Sequence, residues 1–106
     1  MLTRDVVITV ATALTLLISG NVQAKGNLEN GENLAYDCVQ CHGRDGKGNF
    51  ETPPIANLEE ALILDRLRAF RTGERESLDD MMHLYTEDRS DQELQDLALY
   101  WSTFQE

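Results

Sequence analysis

Cys38-Val39-Gln40-Cys41-His42 is the stretch on which the reading of this chain turns. It has the form C-x-x-C-H, the attachment signature of a c-type haem. Two thiols add across the two vinyl groups of the porphyrin, so they must lie on one side of a single helical turn, and two intervening residues provide that spacing. The next residue, His42, then lies beneath the ring, where its imidazole reaches the iron from the proximal side. Cys38 and Cys41 are the only cysteines in the chain, and this one motif uses both.

Other chemistries of paired cysteines fit less well. A closed zinc site needs four ligands, and beyond this cluster the chain offers one further histidine, His83, and no cysteine. A thioredoxin-like redox pair follows a β-strand in a βαβ unit. The residues before Cys38, Gly31-Glu32-Asn33-Leu34-Ala35-Tyr36-Asp37, read instead as a helix. A disulfide between Cys38 and Cys41 would close a very small, strained loop and stabilise little.

The 106 residues allow one small domain. Arg4 stands in a short polar start, Val6 to Ile18 is an apolar run broken only by threonines, and Val22-Gln23-Ala24 places small or apolar residues where a signal peptidase cuts. The run is too short to cross a hydrocarbon core of about 30 Å. Residues 1–24 therefore read as a cleaved secretory signal, with cleavage after Ala24 and no stable membrane span afterwards. Residues 25–106 form the domain. A core of that size is marginal without a staple, and a covalently held haem is a large, flat, apolar body for short helices to wrap.

Lysine and arginine number 9 against 19 aspartates and glutamates, a net charge of −10. Such a surface excludes nucleic acid as a partner. It suits a redox protein with a basic docking patch, found by electrostatic steering; the plainer reading is that the acid keeps an exported protein soluble.

Working outward from the motif, Lys25 to Asn30 reads as a flexible lead-in, and a helix runs from Gly31 or Glu32 into the cysteines. Gly43-Arg44-Asp45-Gly46-Lys47-Gly48-Asn49 is a loop; it lacks the Lys-Ser/Thr ending and the preceding strand of a phosphate loop. Pro53-Pro54-Ile55 forbids a helix interior. One of these prolines can supply the carbonyl that a haem-ligating histidine uses to fix its ring, or the pair can be a plain turn. Asn57 with Glu60 reads as a cap for a helix over residues 58–72 that stops at Gly73, with Ile63, Leu67 and Phe70 on its inner face. Ser77 with Asp80 opens a short helix carrying Met81, Met82 and His83. A methionine pair is commonly core filler, but beside a haem motif one of the two is expected as the second iron ligand, with His83 as a competitor. Ser90-Asp91-Gln92-Glu93 is a capping box, and Leu94, Leu97, Ala98, Trp101 and Phe104 form one apolar stripe behind it. No strand pattern or internal repeat is present.

From Gly31 to Phe104 the chain resembles a small class I bacterial cytochrome c. The resemblance rests on the haem motif with Gly43, on Pro53-Pro54-Ile55, on Phe70-Arg71-Thr72-Gly73-Glu74-Arg75, on Met82 and on Leu97-Ala98-Leu99-Tyr100-Trp101. It implies an all-α fold of three to five short helices around one covalently bound haem c, with Gly31 and Ala35 lying against Leu97 and Tyr100. It implies Cys38 and Cys41 as thioether attachments, His42 as proximal iron ligand, and the Pro53 carbonyl as acceptor for the His42 ring. Met82, eight residues before Ser90, is the implied distal ligand, with Met81 as the alternative. The chain departs from many relatives in having Leu78-Asp79-Asp80 where they carry a proline. The implied function is periplasmic one-electron transfer between protein partners, with no substrate bond changed. The stretch Pro53 to Leu58 and the Phe70–Arg75 run are also similar to cytochrome subunits of flavocytochrome c sulfide dehydrogenases. The alternative they imply is a permanent electron-accepting subunit of a flavoprotein or other dehydrogenase.

Overall fold

Asn27 starts the first helix. In the computed structural model, which describes residues 25–106, its side chain accepts from the Asn30 N–H (2.8 Å) and caps α1, Leu28–Leu34. The signal segment and cleavage site assigned to residues 1–24 lie outside the described residues. The helix thus begins earlier than the expected Gly31, and the expected flexible lead-in is tied down. Asp96, 2% exposed on the last helix, accepts from the Asn27 N–H (2.7 Å), from Asn30 Nδ2 (2.6 Å) and from Gln92 Nε2 (3.0 Å). Gln92 Nε2 also donates to the Lys25 carbonyl (2.8 Å). A buried carboxylate needs such donors, and the segment before Gly31 supplies two of them.

α1 bends at Ala35 and continues as α2, Tyr36–His42; the Ala35 N–H donates to Gly31 O (2.9 Å) and the Val39 N–H to Ala35 O (3.0 Å) across the bend. α3 spans Glu60–Thr72. Its expected cap, Asn57, is employed elsewhere: it sits at φ 67° and its Oδ1 accepts from the Glu106 N–H (2.7 Å), so the helix starts two residues late, after an uncapped Glu59. The expected stop holds. Gly73, at φ 85°, takes the left-handed conformation that a side chain disfavours and ends the helix. A 3₁₀ turn, Leu78–Asp80, leads into α4, Met81–Thr86, and α5 runs Asp91–Ser102 behind the expected capping box, with Ser90 Oγ accepting from the Glu93 N–H and Glu93 Oε1 from the Ser90 N–H. No strand occurs among the described residues.

α5 is the hub. α1 crosses it, α3 packs along it, and α4 lies on α3. The core holds Ala35, Ile63, Leu67, Leu94, Leu97, Ala98 and Trp101. At the α1–α5 crossing a side chain on Gly31 would run into the Asp96 carbonyl and the Tyr100 Cβ, so the two backbones approach as only glycine permits. On the other flank Asp91 accepts two bonds from Arg68 (2.8 and 2.7 Å) and one from Arg71 (3.1 Å), joining α3 to the N-terminus of α5, where a negative charge is favoured.

The Asp96 cluster makes stability pH-dependent. Burial pushes its carboxyl pKa up, but the bonds from Asn30, Gln92 and Asn27 outweigh it, so the folded value lies below the ordinary 3.8. The resulting stabilisation is present above the unfolded value and fades as pH falls through the lower folded one. Asp96→Asn is therefore expected to destabilise the protein by about 1–3 kcal/mol at pH 7. Denaturant titrations should show the gap between the two proteins narrowing below pH 3.8.

Candidate haem site

A cavity of about 390 Å³ opens between α2, α3, α4 and α5, walled by Leu34, Ile55, Leu58, Leu67, Phe70 and Leu97. Cys38, Cys41 and His42 all border it. The helix of the haem motif puts Cys38 half-buried and Cys41 exposed on the same turn, both as free thiols. Burial raises the Cys38 pKa, and the indole of Trp101 partly offsets this.

His42, 7% exposed, closes α2. Its Nδ1 lies 2.7 Å from the Pro53 carbonyl. A carbonyl can only accept, so Nδ1 carries the proton and Nε2 keeps its lone pair. Burial lowers the imidazole pKa while the Pro53 carbonyl opposes it, so the ring is neutral at pH 7, the form that binds a metal. The glycine loop delivers that carbonyl. The Gly48 N–H donates to His42 O (2.8 Å), and Asn49 Oδ1 accepts from the Glu51 and Thr52 N–H groups (2.9 Å each). Gly46 O then accepts from the Ile55 and Ala56 N–H groups (2.6 and 2.9 Å), which closes the loop around Pro53.

Met81 and Met82, on α4, both border the cavity. Met82 packs on the core, whereas Met81 is 41% exposed. Ser77 Oγ accepts from the Met82 N–H (2.9 Å) and Thr86 Oγ1 donates to the Met82 carbonyl (2.7 Å), which fixes that residue's backbone. His83 is engaged elsewhere. Its Nδ1 lies 2.9 Å from Phe70 O and its Nε2 3.1 Å from Glu87, and it does not border the cavity.

Two features escaped the sequence reading. Arg66 and Arg75 border the cavity without a carboxylate partner among the described residues, Arg75 lying 5.4 Å over the Phe70 ring. Arg89, by contrast, is paired with Asp37 and Glu93. Trp101, read as core, is core and cavity wall at once. It is 1% exposed and its Nε1–H has no hydrogen-bond partner among the described residues. An indole inside an apolar stripe was the available signal, since a buried Trp N–H needs an acceptor.

The site fits a haem. The cavity is apolar and two thiols flank a neutral imidazole with a free lone pair. A thioether borders the same space, two guanidinium groups are available for propionates, and a buried donor lacks an acceptor among the described residues. The Cytochrome c family model matches residues 28–104. The chain belongs to the cytochrome c family. It is 35% identical to cytochrome c4 of Pseudomonas aeruginosa over 97 residues, 89% of this chain and 46% of that one. It is 31% identical to cytochrome c-554(548) of Halomonas halodenitrificans over 80 residues, 74% of this chain and 96% of that one. Among solved structures, the thiosulfate dehydrogenase of Marichromatium purpuratum superposes with a TM-score of 0.69 at 28% identity, over 78% of this chain and 21% of that one. This cytochrome spans about half the length of the cytochromes c4 it matches. Its helices have the class I cytochrome c fold, and its cofactor is a covalently attached haem c.

Replacing both cysteines, as Cys38→Ala with Cys41→Ala, should leave a polypeptide that releases all pigment into acidified organic solvent. The native protein should retain haem on the peptide spanning the motif, read by mass spectrometry.

Proposed function

We propose that this cytochrome is an exported one-electron carrier whose iron is held by His42 and Met82. Haem supplies a reversible Fe(II)/Fe(III) couple when bound. The protein holds it and keeps its surroundings constant. Cys38 and Cys41 tether the ring, Pro53 fixes the His42 imidazole, and Met82 supplies a soft thioether that favours the ferrous state and raises the potential. His42 and Met82 are neutral ligands that would stay bound to the iron in both oxidation states, so little would have to move.

One observation carries this reading: a neutral imidazole and a core-packed methionine border the same apolar cavity. Met82 is preferred to Met81 because packing against the core fixes its side chain, while Met81 is exposed on one flank. His83 is disfavoured as a competitor because its Nδ1 is turned to the Phe70 carbonyl and it does not border the cavity.

The relatives of known name are themselves cytochromes, which favours a carrier. The acidic surface favours a redox partner with a basic patch. Residues 1–24 fit a signal that delivers the chain to the periplasm, and no described helix is long and apolar enough to cross a membrane. A second reading, an electron-accepting subunit of a dehydrogenase, has its own support in the likeness to part of a thiosulfate dehydrogenase. Size-exclusion chromatography of the native envelope fraction separates the two. The carrier elutes alone, and the subunit elutes with a stable companion.

Met82→Ala should abolish the weak methionine-to-iron absorption at the red end of the ferric spectrum. It should also lower the midpoint potential by on the order of 0.1 V, a fraction of the roughly 0.8 V over which axial ligands set it. Met81→Ala should preserve both; the reverse pattern would make Met81 the ligand.

A further inference from the structure

The Trp101 indole is gripped on one edge and left with an unused donor on the other. A Cβ placed on Gly46 would stand 3.0 Å from Trp101 Cζ3 and 3.1 Å from Cε3, so this edge of the benzo ring is seated against the glycine loop. The Tyr100 and Phe104 rings close in at 5.2 and 5.1 Å between centroids. In an indole, Nε1 lies on the edge opposite Cε3 and Cζ3. The N–H is therefore held away from the loop in a ring that has no room to turn, and it has no partner among the described residues. At 1% exposure, bulk water cannot serve it. Cys38 packs against the core cluster that holds Trp101, and both residues line the cavity; in keeping with this, the indole pulls the Cys38 pKa down against burial.

We propose that Trp101 is a positioning residue for the haem, its Nε1–H donating to the sulfur of Cys38 once that sulfur is a thioether. This rests on the attachment at Cys38 assigned above. In attachment the S–H adds across a vinyl C=C: sulfur bonds the carbon next to the ring, the hydrogen goes to the terminal carbon, and no oxidant is needed. The sulfur is left with lone pairs and no proton, an acceptor facing a donor that has none. The bond pins the motif helix α2 to α5 at the edge of the porphyrin. It also points the positive end of the N–H dipole at the haem, which favours the less positive ferrous state and raises the potential.

Trp101 is the only tryptophan, so its indole proton gives one resonance. The test uses the holoprotein with haem attachment first verified by mass; loss of attachment there would overturn the Cys38 assignment and the proposal with it, whereas the outcomes below, read on attached protein, bear on the indole alone. In the ferrous protein labelled with ¹⁵N, the indole N–H should exchange slowly with solvent. It should show nuclear Overhauser contacts to the Cys38 β-protons and the adjoining thioether methine. Trp101→Phe, which keeps a ring and removes the donor, should lower the midpoint potential while the methionine-to-iron band persists. Contacts to propionate methylenes in place of the thioether, or rapid exchange, would overturn the proposal. So would an unchanged potential in Trp101→Phe. The resonance assignments need no variant, so the proposal stays falsifiable if Trp101→Phe does not fold.

Discussion

The approach of α1 to α5 at Gly31 is the constraint from which the remainder follows. With no side chain at Gly31, the two backbones come close enough for Ala35, one turn later, to enter the core beside Leu97. A domain of this size has little apolar surface to bury, and a wider crossing would leave much of that core wet. The crossing is also polar in a controlled way. Asp96 is buried there with its acceptor capacity used by Asn27, Asn30 and Gln92, which locks the rotation of α1 about the contact. From that lock α2 carries its cysteines and His42 to the cavity that Trp101 and Leu97 of α5 also line.

The site is assembled from pieces that have little stability of their own. α2 has seven residues and α4 six, lengths at which an isolated helix does not persist in water. What steadies them is tertiary. α2 continues α1 through an unbroken backbone bend, and the Gly48 N–H holds the His42 carbonyl. α4 lies on α3 and is pinned at one end by Ser77 and, through His83, to the Phe70 carbonyl. His83 thus serves α4 as a strut. Covalent attachment then ties the porphyrin to the better-supported of the two, which keeps the cofactor in register while the other side adapts.

What could be read in the sequence was what is local. The C-x-x-C-H spacing is a property of one helical turn, the Ser90–Glu93 box spans one turn, and Gly73 ends its helix by its own conformational freedom. Asn27 and Asn57 were misjudged for one reason. An asparagine beside a helix start has the same local signature whether it caps or not, and here distant groups decide. Asp96 draws Asn27 into a cap, and the backbone of Glu106 takes the Asn57 side chain away from one. Trp101 matched the apolar stripe by spacing, but its unpartnered N–H becomes visible only when the neighbours of the indole are known. The Pro53 carbonyl is an intermediate case. A proline near a haem motif was legible as an acceptor, while the choice of Pro53 depends on how three glycines and Asn49 fold the loop.

The two sides of the cavity differ in how firmly the polypeptide specifies them. On the His42 side the His42 carbonyl is held by the Gly48 N–H, the Gly43 N–H by the Val39 carbonyl, and the ring is oriented by Pro53 before any metal is considered. On the α4 side Asp79 and Asp80 both adopt left-handed conformations, at φ 54° and 56°, immediately before Met81. Such residues cost about 1–3 kcal/mol each and persist only where the surroundings over-determine them. Here the visible restraints are the Asp80 N–H to Ser77 O bond (3.0 Å) and the Ser77 Oγ bond to Met82. With iron bound on the proposed ligation, the Met82 sulfur adds a third restraint at the same point. The strained entry and the axial bond then support each other. A proline before the methionines, the arrangement in many class I relatives, would fix the entry through the backbone alone; in this chain Ser77 holds it, and on the proposed ligation the metal would add to that hold.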